Sequence, residues 1–481
     1  MRRRGQGMAA RQIVIVHGWS DTSESFEPLA AFLKANGFDA VPVWLGDYPS
    51  REDDVRIEDV ARRMDAVIRN RMADGRLSRS FDMIVHSTGG LVARQWVSAF
   101  YPDGNCPMKR LVMLAPANFG SVLAHKGRSF IGRIVKGFDN WFETGEETLN
   151  ALELASPFQH DLAWRDLFAP ADGATCPYGP DRVMPFVIAG THPFPDFFMR
   201  VVNEDGGDGT VRVPAANLNA CGMTIDFAAS EARPVVTHWK QRHGAMKFPL
   251  AVLPDRSHSS IYNPDHPDVE YAPPHPDWAL SALILRALAC EGEDEYARIA
   301  EDWLALNEDT RALTDDEGER ERRFGDDDVD PDYFHQYLQI VACVVDDFGV
   351  PVDDYFLEFF AVDNESEEDA TLFHSEILEH VHTNRGAPSR RCLYIDRTDL
   401  METFYPSIGN RRSRVLRLSI SANPPGPHVR YFASTAKGAA GNAVIHAEDE
   451  ARRWLKRNAT HFIKIVIPRH QSDEVFTLRQ G

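Results

Sequence analysis

Short apolar runs alternate with segments of helical periodicity through about the first 290 residues of the chain. The apolar runs are strand-like: QIVIV, AVPVWL, FDMIV, RLVMLA, MPFVIAG and KFPLAVL. Helical patterns lie between them, for example SFEPLAAFLKANG and residues 55–72 and 91–100. Strands separated by helices are typical of a mainly parallel sheet covered by helices on both faces. We therefore predict an α/β fold here, closed by an apolar helix within residues 276–290.

The remainder of the chain has a different texture. Residues 291–332 are densely charged and offer little apolar surface, which predicts an acidic linker or a solvated helical segment. Short strand-like runs then follow one another with turns between them, and this pattern predicts a β-sandwich-like accessory domain over residues 333–481. A first domain is predicted over residues 1–290, and we expect it to fold without the C-terminal domain.

The charge of the chain argues against two classes of partner. Its 481 residues carry 72 acidic and 52 basic side chains, a formal net charge of −20, which repels nucleic acid and anionic membranes. The sequence shows neither an apolar membrane span nor a secretory signal pattern. The six cysteines lack the paired spacing of a metal site or a disulfide framework. We expect a cytoplasmic protein, without a nucleic-acid partner and of undetermined oligomeric state.

A serine stands where a strand pattern ends and a helix pattern begins, in FDMIVHSTGG. A sharp strand-to-helix turn exposes a nucleophile, holds its backbone and directs the helix amides at a developing oxyanion. Such turns follow the pattern G-x-S-x-G around the nucleophile, here Ser87. Gly89 provides the second glycine, whereas Val85 replaces the first. Ser87 could instead only cap the helix, but the strand before it and the helix after it favour a nucleophile.

Two further segments supply candidates for the rest of a serine-hydrolase site. VHGWS ends the first strand in a glycine turn, so the amides of Trp19 and Thr88 are candidate oxyanion donors. The segment EDGGDGTV supplies the candidate acid Asp208, with Asp205 as its competitor. Either aspartate could instead form only an Asp–Gly turn.

The candidate base follows the last predicted strand. His258 lies a short loop beyond that strand, where its imidazole can reach over Ser87. His238 and His243 precede the strand and are therefore expected at its opposite end. The chain order Ser, Asp, His is the order required of a triad in a nucleophile-elbow fold.

These residues resemble those of the α/β-hydrolase superfamily, and within it the serine lipases and esterases. The resemblance covers about residues 12–290 and rests on VHGWS, HSTGGLVAR, GDGTV and SHSSIYN. It extends to bacterial triacylglycerol lipases and to the lecithin–cholesterol acyltransferase and inositol-deacylase types. In those families GDGTV-like loops carry the acid and the histidine after the last strand is the base. The resemblance implies an α/β-hydrolase fold with the triad Ser87, Asp208 and His258, and with no cofactor or metal.

An amphipathic segment lies within residues 119–182, where hydrolases of this fold often carry a helical cap or lid. Phe130, Ile134 and Phe138 recur there at helical spacing and are candidate substrate-binding residues, together with Phe194 further along the chain. The cap helix either packs permanently on the core or contacts a lipid surface transiently, and both alternatives create an apolar pocket. Phe194 could equally be a core residue.

The combined features predict a serine carboxylester hydrolase, a lipase or esterase, acting on lipid-like or other hydrophobic esters. A phospholipase, an acyltransferase or an amidase could use the same triad. A hydrolase scaffold that lacks catalysis and serves as an interaction protein is the alternative from another class.

Overall fold

The computed structural model describes residues 11–18, 23–43, 54–122, 124, 146–168, 175–194, 203–230, 233–315, 323–324, 331–360, 371–409, 414–431, 443–446 and 454–480. Its strands are β1 (Gln12–Val16), β2 (Asp39–Val43), β3 (Phe81–His86), β4 (Met108–Leu114), β5 (Met184–Gly190), β6 (Cys221–Asp226), β7 (Val235–His238), β8 (Leu250–Leu253), β9 (Tyr337–Asp346), β10 (Tyr355–Phe360), β11 (Leu378–Thr383), β12 (Arg390–Asp396), β13 (Val415–Ala422), β14 (Val429–Tyr431), β15 (Ala443–His446), β16 (Ala459–Ile467) and β17 (Arg469–Gln471).

The helices of the described residues are α1 (Glu27–Ala35), α2 (Ile57–Ala73), α3 (Gly89–Phe100), α4 (Glu146–Leu152), α5 (Pro157–Asp166), α6 (Val213–Ala216), α7 (Leu280–Ala289) and α8 (Gly292–Ala312). Short helical turns lie at Ser23–Phe26, Pro276–Trp278, Pro331–Phe334, Phe373–Ile377, Arg397–Asp399, Leu400–Phe404, Tyr405–Ser407 and Asp473–Val475. No helix among the described residues is both long enough and apolar enough to cross a membrane.

The first sheet is parallel throughout and has the strand order β2-β1-β3-β4-β5-β8. Alternate side chains of β1 enter opposite cores, because successive residues of a strand point to opposite faces. Val14 and Val16 pack with α2 and α3, whereas Ile13 and Ile15 pack with α1, α7 and α8. The sheet is therefore covered by helices on both faces, and the prediction of an α/β fold with a mainly parallel sheet is confirmed.

Helix α8 occupies the stretch that was predicted to be an acidic linker. Its apolar residues Tyr296, Ile299, Trp303 and Leu306 are buried in the core of the first sheet. The side chain of Asn307 bonds to two backbone groups on one edge of β8, accepting from the Val252 amide at 2.8 Å and donating to the Leu250 carbonyl at 2.9 Å. The buried stripe of α8 differs from both alternatives given for residues 291–332, a linker and a solvated helical segment, because its apolar residues recur on one face.

The second sheet combines strands from both halves of the chain. Its order is β11-β12-β9-β16-β6-β7, and β16 pairs in parallel with both β9 and β6. A three-stranded sheet, β10-β13-β15, shares a core with it, to which Ile340 on β9 and Leu418 on β13 both contribute. The C-terminal region therefore forms additional β-sheets. A boundary at residue 290 does not separate them from the hydrolase half, because β6 and β7 precede it.

The opposite face of the second sheet packs on the hydrolase core. Val341, Tyr394 and Phe462 belong to the same buried cluster as the helices α2 and α3. Their neighbours along the strands point the other way, into the core shared with β13. The second sheet is thus a buried middle layer, which is at odds with the expectation that the first 290 residues fold alone.

Candidate active site

The predicted nucleophile elbow corresponds to the two residues between β3 and α3, Ser87 and Thr88. Ser87 has a φ of 53°, in the left-handed region that residues with a Cβ rarely adopt. The turn is tight: a Cβ on Gly89 would lie 2.9 Å from the carbonyl oxygen of Val16, and one on Gly18 would lie 3.0 Å from the Cβ of Ser87. Val85, in place of the usual first glycine, points into the apolar core beneath α3. The elbow therefore forms without that glycine.

Three side chains from separate loops meet in one hydrogen-bonded chain. His258 Nε2 lies 3.0 Å from Ser87 Oγ, and His258 Nδ1 lies 2.9 Å from Asp208 Oδ2. In this arrangement Nδ1–H donates to the carboxylate, and Nε2 accepts the serine hydroxyl. Asp208 and His258 are only 1% and 3% exposed, whereas Ser87 is half-buried. In this arrangement the imidazole of His258 can take the hydroxyl proton of Ser87, which remains accessible.

The second carboxylate oxygen of the candidate acid, Asp208, is also hydrogen-bonded. Asp208 Oδ1 accepts hydrogen bonds from the amides of Thr210 at 3.0 Å and Val211 at 2.7 Å. The amide of His258 donates to the Asp208 carbonyl at 2.9 Å. The carboxylate is therefore fixed relative to both its own loop and the imidazole.

The geometry selects among the alternatives that the sequence leaves open. Asp208, and not Asp205, contacts the imidazole of His258. His238 Nδ1 accepts a hydrogen bond from Trp454 Nε1 at 3.1 Å, on the second sheet. His243 Nδ1 donates to a carbonyl, and burial lowers its pKa to about 4. The two rejected histidines are therefore engaged elsewhere.

A comparison with protein families identifies the fold. The alpha/beta hydrolase family matches residues 13–273, which is more than half of the chain. The chain belongs to the alpha/beta hydrolase family. A comparison with curated proteins found no significant match.

Solved structures extend the likeness of this alpha/beta hydrolase to its full length. It is similar to the phospholipase PlaB from Legionella pneumophila, with 24% identity, a TM-score of 0.76, and coverage of 98% of this chain and 97% of that one. The same phospholipase in complex with thio-NAD gives 24% identity, a TM-score of 0.75 and the same coverage. The likeness shows that the two chains share a fold that includes the C-terminal sheets.

Two supporting residues of the hydrolase were not recognised from the sequence. His86 Nε2–H donates to the His258 carbonyl at 3.0 Å, and the two rings lie 4.7 Å apart between centroids. Asp268 accepts bonds of 2.6 Å from both the Ser257 amide and the Ser260 hydroxyl, which fixes the loop that carries the base. His86 directly precedes Ser87, but nothing in its sequence context reveals a partner 172 positions away.

The remaining predicted site residues have separate outcomes. Thr88 is buried and directly precedes α3, so its amide lies at the helix N-terminus beside Ser87. Trp19 lies outside the described residues, as do Phe130, Ile134 and Phe138. Phe194 is buried against the acid loop: a Cβ on Gly209 would lie 2.4 Å from its ring. Its burial is what a core residue shows, and the substrate-binding role of Phe194 stays a prediction.

One cluster of potential metal ligands lies away from the triad. His335, Asp396 and Asp399 bring three ligand atoms within 4.8 Å of one another. His335 Nδ1 already bonds to Asp396 Oδ2 at 2.6 Å. Burial opposes the charge on His335, but the hydrogen bond and the charge of Asp396 prevail and raise its pKa to about 9. His335 and Asp396 therefore form an ion pair, in which the histidine supplies the positive charge that balances the carboxylate without a metal ion.

Proposed function

We propose that this hydrolase cleaves lipid-like carboxylic esters through a covalent acyl-enzyme. The observation that carries the proposal is the hydrogen-bonded chain from Asp208 through His258 to Ser87 Oγ, placed at a strand-to-helix elbow. A serine that was only a helix cap would need neither a buried imidazole on its hydroxyl nor a carboxylate behind that imidazole.

The proposed reaction has two halves. His258 Nε2 takes the proton of Ser87 as Oγ attacks the ester carbonyl, and the amides of Thr88 and Trp19 stabilise the resulting oxyanion. The imidazolium then protonates the departing alkoxide. Water, activated by the same imidazole, hydrolyses the acyl-enzyme, while Asp208 stabilises the transient positive charge of His258. His258 accepts and donates each proton in both halves of the proposed reaction, so no cofactor is required.

The substrate class is inferred from the amphipathic sequence pattern within residues 119–182. We propose that Phe130, Ile134 and Phe138 form the acyl-contacting face of a cap. Phospholipids are the first members of this class to test, because the fold shared with the Legionella phospholipase spans the whole chain. Acyl transfer and amide hydrolysis use the same triad and differ in whether water or another nucleophile reaches the acyl-enzyme.

A turnover panel tests the proposal. The full chain and its Ser87→Ala variant are compared on p-nitrophenyl butyrate, phosphatidylcholine, lysophosphatidylcholine and a triglyceride. We expect turnover of at least one acyl ester by the wild type and none by Ser87→Ala. Ser98→Ala is the matched control, because Ser98 lies on α3 with its hydroxyl bonded to the Gln95 carbonyl. A wild type that turns over none of these esters would favour the non-catalytic alternative.

A further inference from the structure

The proposed catalytic acid lies at the tip of a short hairpin. An antiparallel bridge joins Gly207 to Arg212, and the Val213 amide donates to the Gly206 carbonyl at 2.9 Å. Asp208 lies just inside this stem, with its amide directed at the Val211 carbonyl at 3.3 Å. A shift of the stem would therefore move the carboxylate relative to the imidazole. We call residues 206–213 the acid hairpin.

The side chain at the base of the acid hairpin reaches the second sheet. The guanidinium carbon of Arg212 lies 4.9 Å from the ring centroid of Tyr337 on β9 and 4.6 Å from that of Tyr394 on β12. Its nitrogens form ion pairs with Glu204 at 3.1 Å and with Glu379 on β11 at 3.2 Å. Arg212 is 3% exposed. One buried cation thus joins the acid hairpin to three neighbouring strands.

The backbone on both sides of the hairpin is held by the same sheet. Gly206 has a φ of +66°, and a Cβ there would lie 2.0 Å from the ring of Tyr337. Beyond the hairpin, the Thr460 hydroxyl on β16 donates to the Pro214 carbonyl at 2.9 Å, and the Asn217 amide group donates to the Asn458 carbonyl at 2.6 Å. The acid hairpin therefore takes its position from the C-terminal strands.

We infer that Arg212 is a positioning residue that sets Asp208, and through it His258, by clamping the acid hairpin to the second sheet. The C-terminal region is then part of the catalytic apparatus and not an accessory module. A buried guanidinium held between two aromatic faces and two carboxylates has few alternative arrangements. Small displacements of catalytic groups are costly to the rate, so the clamp matters for catalysis as well as for stability. The inference rests on the proposed function.

The test uses full-length Arg212→Met and Arg212→Lys, with Arg110→Met as the matched control. Arg110 is also a buried arginine paired with a carboxylate, Asp82 at 3.1 Å, but it lies near the start of β4, at the opposite end of the strands from Ser87. Active sites are titrated with a fluorophosphonate, and kcat on p-nitrophenyl butyrate is expressed per active site. This normalisation removes losses that come only from unfolded protein.

We expect Arg212→Met to lower kcat per active site by about 100-fold, as for a misplaced catalytic group. KM should change by less than about threefold, because the lost interaction is not a substrate contact. Arg212→Lys should recover part of kcat. The acidic limb of the kcat/KM profile should move to lower pH in Arg212→Met, because a displaced Asp208 stabilises the imidazolium of His258 less. Arg110→Met should change neither kcat per active site nor the acidic limb.

Different results would contradict the proposed ester hydrolysis and the proposed positioning role of Arg212. A wild type that neither reacts with the phosphonate nor cleaves the ester contradicts the proposed function itself. An active wild type, with an Arg212→Met variant whose kcat and pH profile match those of Arg110→Met, overturns only the positioning role. If Arg212→Met is insoluble, kcat per active site and the acidic limb of the pH profile are measured for Arg212→Lys and Tyr394→Leu instead. If neither variant changes either quantity, the positioning role of Arg212 is overturned.

Discussion

At the scale of single residues, neighbouring groups restrict the conformations that Ser87 and His258 can adopt in the candidate site. The left-handed backbone of Ser87 is held by the close approach of Gly18 and Gly89. The imidazole of His258 is hydrogen-bonded at both ring nitrogens. The backbone carbonyl of His258 accepts a hydrogen bond from His86. Such preorganised groups need little rearrangement when charge develops in the transition state.

The two candidate acids give the first prediction. Asp208→Asn should lower kcat by a factor on the order of 10⁴, because an amide no longer stabilises the required tautomer and charge of the imidazole. Asp205→Asn should have a much smaller effect, since Asp208 is the aspartate bonded to His258. Steady-state turnover of p-nitrophenyl butyrate by both variants provides the measurement, and a larger loss in Asp205→Asn would mean that the acid has been misassigned.

The candidate triad was accessible from the sequence because Ser87 and His258 each follow a strand pattern, and because the resemblance of GDGTV to the acid loops of hydrolases implied Asp208. Ser87, Asp208 and His258 are the residues that the structure brings together. Arg212 was not accessible, because its partners Tyr337 and Tyr394 come from strands more than 100 residues away and local periodicity carries no information on such contacts.

At the scale of elements, α8 shows how charge can conceal a core helix. Its exposed faces are acidic, so the average composition indicates a linker, whereas the buried stripe is visible only at helical spacing. Sequence alone also could not show that β6 pairs with β16, because parallel strands need no turn between them and these lie more than 200 residues apart.

A pair of neighbouring residues tests the packing of α8. Trp303→Ala should lower the free energy of unfolding by about 3–5 kcal/mol, because it empties a fully buried site against Phe186. Leu304→Ala is the control: Leu304 is 48% exposed, and its loss should cost no more than about 0.5 kcal/mol. Urea denaturation of both variants gives the comparison. Similar small losses would mean that α8 is a solvated segment after all.

The ion pair of His335 and Asp396 gives a pH-dependent prediction. The pKa of His335 in the folded protein is raised from 6.5 to about 9. Its contribution to stability is therefore fully present below about pH 6.5 and is lost as the pH rises through about 9. The stability difference between the wild type and His335→Gln should be larger at pH 6 than at pH 10. An NMR titration that places the His335 pKa at or below 6.5 would contradict this.

At the scale of the whole molecule, the hydrolase half and the C-terminal sheets form continuous structure. The second sheet contains β6, and its side chains Tyr394 and Phe462 belong to the buried cluster that also includes residues of α2 and α3. A buried hydrogen bond of 2.9 Å between His382 Nε2 and Glu153 Oε1 joins the same two regions. The division into an independent enzyme and an accessory module, predicted from the change in texture, remains to be tested by truncation.

We expect a chain ending at residue 315 to be insoluble or inactive, even though it retains all three candidate triad residues. It would expose the apolar surface that Phe462 covers, remove β16 from β6, and leave Arg212 without Tyr337 and Tyr394. Solubility, circular dichroism and turnover of p-nitrophenyl butyrate, compared with the full chain, give the result. A folded fragment that cleaves the ester at the full-length rate would restore the two-module division.

We propose Ser87 as the activated nucleophile of this hydrolase. Peptide mass spectrometry after reaction of the full-length protein with a fluorophosphonate tests it most directly, because the reagent marks the attacking atom covalently. We predict one phosphonyl group per chain, located on Ser87, lost in Ser87→Ala and in large part in His258→Ala, and retained in Ser98→Ala. Labelling of a different residue, or labelling that persists at full stoichiometry in Ser87→Ala, would contradict the claim.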